Sequence, residues 1–159
     1  MASFISSNFE NTTSSGPCNI LEEVSAIKDE LIENRRWFHM YPEIAFEEKI
    51  TSAHVVELLK SYGITEIFEG VGGFTGVVAL IRGAQPGPCV LLRADMDGLP
   101  IGETADIPHR SRHEGCMHAC GHDGHMSGLL GAAKILNSEA SRAAMKGTVK
   151  LLFQPAEER

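Results

Sequence analysis

From Ile20 onward, apolar residues return at three- and four-residue intervals among charges, at Leu21, Val24, Ile27, Leu31 and Phe38. That spacing predicts an amphipathic helix, capped by Asn19 with Glu22 in the capping-box position. It ends near Met40 and Tyr41, because Pro42 pushes the residue before it out of helical geometry. A second helix is predicted over 47–62, with Ile50, Val55, Leu58, Leu59 and Tyr62 on one face and Gly63 at its end. The pattern then changes to short aliphatic runs, 75–81 and 88–93, parted by the turn-rich segment 82–87. Their unbroken apolar character suits strands covered on both faces, although a hairpin between them would be antiparallel. A third helix is predicted over 123–136, with Met126, Leu129, Leu130 and Ile135 as buried candidates, and a last buried strand over 148–154. The order helix, helix, strand, strand, helix, strand predicts an α/β architecture, and the final strand is expected to lack later neighbours that would pair with it and cover it.

Composition adds limits. At 159 residues the chain is one domain's worth, able to bury roughly two thirds of its unfolded surface. Residues 1–19, rich in Ser, Thr and Asn and carrying Gly16-Pro17, read as a flexible leader, which leaves 20–159 as the folded unit. The formal charge of −7, with 21 acidic and 14 basic residues and no Lys/Arg cluster, argues against nucleic acid or an anionic membrane as partner and favours small molecules or protein. No window approaches a membrane span, and the N-terminus lacks the basic and apolar regions of a secretion signal, so a soluble, cytoplasmic protein is expected. Cys18, Cys89, Cys116 and Cys120 then read as free thiols, and the glycosylation match at Asn11 as an accident of composition.

The chemistry is concentrated in two places. Residues 115–125 hold two thiols, three imidazoles and a carboxylate, a density of borderline ligands that makes a transition-metal site the first reading. Glu157 and Glu158 follow directly on the apolar run 148–153, and one member of such a pair can bind metal while the other handles protons. A third acidic group, Asp95 and Asp97, follows the second strand, and its alternation puts both on one side of an extended segment. Loops leaving buried strands thus deliver Asp, Cys/His and Glu to one rim. Each feature also has a plainer account. Cys116, Cys120, His122 and His125 could form a structural zinc knot, although a zinc finger separates its ligand pairs by about a dozen residues. His125 could be a satisfied helix-start histidine, Glu157 and Glu158 a solvated pair, and Asp95 and Asp97 a turn with Gly98 and Pro100. His39, His54, His109 and His113 read as structural or surface groups, with a minor positional role left open for His39.

In order and spacing, Arg35-Arg-Trp-Phe-His-Met-Tyr-Pro-Glu43, Leu92-Arg-Ala-Asp-Met-Asp-Gly-Leu-Pro-Ile101, Met117-His-Ala-Cys-Gly-His-Asp-Gly-His125, Gly131-Ala-Ala-Lys134 and Phe153-Gln-Pro-Ala-Glu-Glu158 resemble the metal-dependent amidohydrolases. That family includes hippurate hydrolase, bacterial N-acyl-amino-acid amidohydrolases and plant auxin-conjugate hydrolases. The resemblance implies a zinc-exopeptidase-like α/β catalytic domain, with helices on both faces of a mixed sheet, and a smaller lid or dimerisation domain for which this chain has no room. It implies two divalent ions, Mn²⁺, Zn²⁺ or Co²⁺, with Cys120, His122 and Glu158 as ligands. Glu157 would be the general base that activates water, and Asp97 the carboxylate that supports the site. Asp95, His118, Asp123 and His125 are candidates to hold the ligands from behind. Two further histidine ligands are expected from later sequence, so the chain reads as the N-terminal part of an enzyme whose full-length form can dimerise. Its substrate would be a small N-acyl or indole-acyl amino acid, with a di- or aminopeptidase, or a metal-binding module without turnover, as the alternatives. Cys116, Gly98 and Arg159 depart from the family pattern, and none of the three removes a ligand.

Overall fold

The computed structural model describes residues 20–159. The leader at 1–19, with the Asn19 cap, Cys18 and Asn11, lies outside the described residues. The helix predicted as one piece from Ile20 to Met40 is two, α1 (Ile20–Ala26) and α2 (Lys28–Met40). They part at Ile27, whose φ of −103° and ψ of 4° lie in the bridge region rather than the helical one. The stripe on α1 is not a buried one, since Leu21 is 78% exposed. The next helix, α3 (Lys49–Ser61), ends as predicted at Tyr62, followed by Gly63 in the left-handed region at φ 79°. It buries Val55 and Leu59, whereas Ile50 is half-exposed.

Four strands follow: β1 (Ile67–Val71), β2 (Gly76–Arg82), β3 (Gln85–Asp95) and β4 (Lys146–Gln154). Between β3 and β4 come α4 (His122–Leu136) and the short α5 (Glu139–Ala144), whose first turn is capped by the Ser138 hydroxyl. The sheet order is β1-β2-β4-β3, with β2 antiparallel and β3 parallel to β4. No β2–β3 hairpin forms, because β4 inserts between the two. The final strand is therefore central and paired on both sides, contrary to the sequence expectation, and the open edges are β1 and β3. Nor is β3 covered on both faces: Val90 and Leu91 are 52% and 54% exposed. A run of consecutive aliphatic residues does not by itself say which of them face a neighbour.

One hydrophobic core joins the helices to one face of the sheet. Val77, Ala79 and Ile81 of β2 and Val149, Leu151 and Phe153 of β4 point inward at a period of two, against Phe38, Val55, Leu59, Met126 and Leu130. The α2–α4 contact is close: a Cβ on Gly131 would lie 2.8 Å from Leu31 Cδ2, and Ser127 Oγ donates to the Leu31 carbonyl at 2.6 Å. No helix among the described residues is long and apolar enough to cross a membrane.

Candidate active site

Strand pairing builds the site. Asp95 at the end of β3 lies opposite Gln154 at the end of β4, and Met96 N donates to the Gln154 carbonyl at 2.9 Å, so the segments after both strands emerge side by side. The start of α4 joins them. Gly121 stands between Cys120 and His122 at φ 87°, a left-handed conformation that lets the chain turn sharply into the helix. Asp97, almost fully buried, ties the three segments together. Its carbonyl accepts from His122 Nδ1 at 2.9 Å and its Oδ2 from the Glu158 amide at 3.0 Å. With Nδ1 donating, the lone pair of His122 is on Nε2. That nitrogen lies 3.9 Å from Glu157 Oε2 and 3.9 Å from Glu158 Oε1.

Cys120 Sγ, a ring nitrogen of His122 and a carboxylate oxygen of Glu158 lie within 4.8 Å of one another. The Cys120 thiol is held above its ordinary pKa, first by its hydrogen bond with Glu158, then by burial and by the negative fields of Glu158, Glu157 and Asp95. Asp95, His122 and His125 form a second group, with one ligand atom of each within 4.8 Å of the others. It shares His122, and since Nδ1 is engaged by Asp97 the two groups compete for one nitrogen. Asp95 is also held by Arg93 Nε at 2.8 Å and lies 3.4 Å from His125 Nδ1, while Arg93 comes within 3.8 Å of Glu157. Asp97 Oδ1 is buried without a hydrogen-bond partner, 3.3 Å from His122 Nδ1. Sulfur, imidazole and carboxylate donors beside an unsatisfied buried oxygen fit a divalent cation. Cys116 is in neither donor group, so the four-ligand zinc knot does not assemble among the described residues.

Behind this rim is a buried polar cluster that the sequence did not disclose. His39 puts Nδ1 2.7 Å from Asp123 Oδ2 and Nε2 3.2 Å from Glu103 Oε1, and Arg35 Nε reaches Asp123 at 3.0 Å. Burial alone would raise the Glu103 carboxyl, but the Ser111 amide and His39 outweigh it and hold it below the usual range. His118 is buried with neither ring nitrogen partnered, and burial pushes it down to about 4. Asp97, Cys120, His122, Glu157 and Glu158 thus come together, and Asp95 and His125 pair beside them. Asp123 turns instead to His39 and Arg35, and His118 sits in the interior. Partners 84 and 64 residues from His39 leave no local signal in the sequence.

Residues 91–159 match the model of peptidase family M20/M25/M40. Over 136 residues the chain is 47% identical to thermostable carboxypeptidase 1 of Saccharolobus solfataricus, a match covering 86% of this chain and 34% of that protein. Over 144 residues it is 45% identical to N-acetyl-L-cysteine deacetylase of Bacillus subtilis, covering 91% and 33% respectively. Among solved structures, a dinuclear metal-binding M20 peptidase of Bacillus subtilis matches with a TM-score of 0.79 at 42% identity, over 84% of this chain and 37% of that one. The chain spans about a third of the length of the curated relatives it matches.

Proposed function

Because residues 91–159 match the model of peptidase family M20/M25/M40, we propose that this chain is the metal-holding part of an enzyme that hydrolyses the amide bond of N-acyl or indole-acyl amino acids. The products are a carboxylic acid and a free amino acid. The observation that carries the reading is the convergence of Cys120, His122 and Glu158 within 4.8 Å, with Glu157 beside them. Cys120, His122 and Glu158 would hold a divalent ion of a pair, for which Mn²⁺, Zn²⁺ and Co²⁺ suit the donors. When bound, such ions polarise the amide carbonyl and lower the pKa of water at the site.

The protein's own groups do the rest. Glu157 is 39% exposed at its side chain, so its carboxylate can take a proton from the water whose oxygen attacks the carbonyl carbon. It then returns that proton to the nitrogen as the carbon–nitrogen bond breaks. Asp97 fixes the His122 ring through its carbonyl and the Glu158 backbone through its carboxylate, which aims both donors.

Cys120, His122 and Glu158 supply donors for one ion, and the group of Asp95 and His125 shares His122 with them, so the 159-residue chain alone is expected to bind at most one ion weakly and not to turn over. The test is to assay it beside the longest product of its reading frame, with Mn²⁺ added, on hippurate, N-acetyl amino acids and indole-acetyl amino acids. Turnover by the longer form only is expected. Comparable turnover by the short form would show the site to be complete within these residues, and none by either would contradict the reaction.

A further inference from the structure

Glu48 has no exposed surface, and an ionisable side chain buried to that degree is held there by partners. Its side chain stands at the N-terminus of α3 without capping that helix: the Ile50 and Thr51 amides are taken by Glu43, at 3.1 and 2.8 Å. Its carboxylate reaches elsewhere. Oε1 accepts from the Ala156 amide at 2.9 Å, across 108 residues of sequence, and Oε2 accepts from the Thr75 hydroxyl at 2.6 Å.

Ala156 is one of two non-glycine residues among those described with positive φ, at 55°. A side chain stays in that conformation where its surroundings over-determine it. The turn from Pro155 to Glu158 is held at two amides, Ala156 by Glu48 and Glu158 by Asp97, and Glu157 lies between them. One carboxylate comes from the β3 side of the site and the other from α3, on the opposite flank.

We propose that Glu48 is a positioning residue for the glutamate pair: it clamps Ala156 in its left-handed turn and so sets where Glu157 and Glu158 project. This rests on the reading of Glu157 and Glu158 as the working pair. Loss of the clamp leaves the 155–157 backbone free to relax toward ordinary φ, which carries the Glu158 oxygen away from Cys120 and His122.

The experiment compares Glu48→Ala, Glu48→Gln and, as control, Glu43→Ala, which removes bonds from the same helix end without touching Ala156. Two readouts are taken, amide exchange at Ala156 by NMR and Co²⁺ affinity from the thiolate-to-cobalt absorption. Glu48→Ala is expected to speed exchange at Ala156 at least tenfold and to weaken Co²⁺ binding by about 10- to 100-fold, the range for residues that orient ligands. Glu43→Ala should lower the urea midpoint and leave both readouts within about twofold of wild type. Glu48→Gln keeps an acceptor for Ala156, and its Co²⁺ affinity should return to within about threefold. The proposal is overturned by unchanged exchange at Ala156 in Glu48→Ala, by unchanged Co²⁺ affinity, or by an equal loss of affinity in Glu43→Ala. Failure of the wild-type chain to take up Co²⁺ would instead sink the ligand set under the proposed function, and amide exchange then decides the clamp alone. Should Glu48→Ala not fold, Glu48→Asp keeps the charge, shortens the reach by one methylene and carries the same comparison.

Discussion

Adjacent glutamates can differ in role where their surroundings differ, and in the turn that follows β4 those of Glu157 and Glu158 do. Glu158 has its amide on Asp97 and its carboxylate on the Cys120 thiol, whereas Glu157 lies 3.8 Å from Arg93 and 3.9 Å from His122. In the active form, Glu157→Gln should therefore keep metal and lose about 10²- to 10⁴-fold in kcat, and Glu158→Ala should lose metal affinity first. Metal content by elemental analysis beside kcat separates the two, and the reverse pattern would exchange the roles. Residue types alone made most of this site legible, since thiol, imidazole and carboxylate in tight spacing have few other uses. They did not disclose Glu48 or the His39–Asp123–Glu103 cluster, whose meaning lies in partners far along the chain. Gly98 and Cys116 also prove to be neighbours: a Cβ on Gly98 would lie 3.1 Å from Pro42 Cβ and 3.3 Å from both Cys116 Sγ and the Met117 carbonyl oxygen.

Among the elements, α2, α3 and α4 announced themselves because a buried stripe at helical period survives in one dimension. The break at Ile27 did not, since the apolar spacing runs on across it. Nor did β1, five residues long and mostly exposed, or the insertion of β4 between β2 and β3, which depends on long-range pairing. The α2–α4 contact rests on shape at Gly131 and on charge at Glu30, which meets Lys134 of α4 and, at 2.9 Å, the Tyr62 hydroxyl. Burial would raise the Glu30 carboxyl, but Lys134 and Tyr62 outweigh it and hold it below its ordinary value. A lowered carboxyl stabilises the fold above its unfolded pKa, and that contribution is lost as pH falls through the folded value. The urea midpoint of wild type should therefore exceed that of Glu30→Gln by a constant margin between about pH 6 and 8, and the margin should shrink below about pH 4. A margin that grew on acidification would contradict the assignment.

Among the described residues, one core joins the helices to the sheet and the β3 edge is unpaired, with Val90 and Leu91 half-exposed, while the ends of β3 and β4 and the start of α4 meet at a single rim. α/β class and the rim were readable in the sequence because both follow from element order. Which strand lies at the edge was not, because consecutive aliphatics look alike in a central and in an edge strand. On the proposed reading this rim binds metal through Cys120, His122 and Glu158 rather than through a paired-cysteine knot. X-ray absorption at the zinc edge of the zinc-loaded chain separates the two. The expected spectrum has one sulfur scatterer at about 2.3 Å with nitrogen and oxygen at about 2.0–2.2 Å, the sulfur vanishing in Cys120→Ser and persisting in Cys116→Ser. Two sulfurs, or one that survives Cys120→Ser, would contradict it.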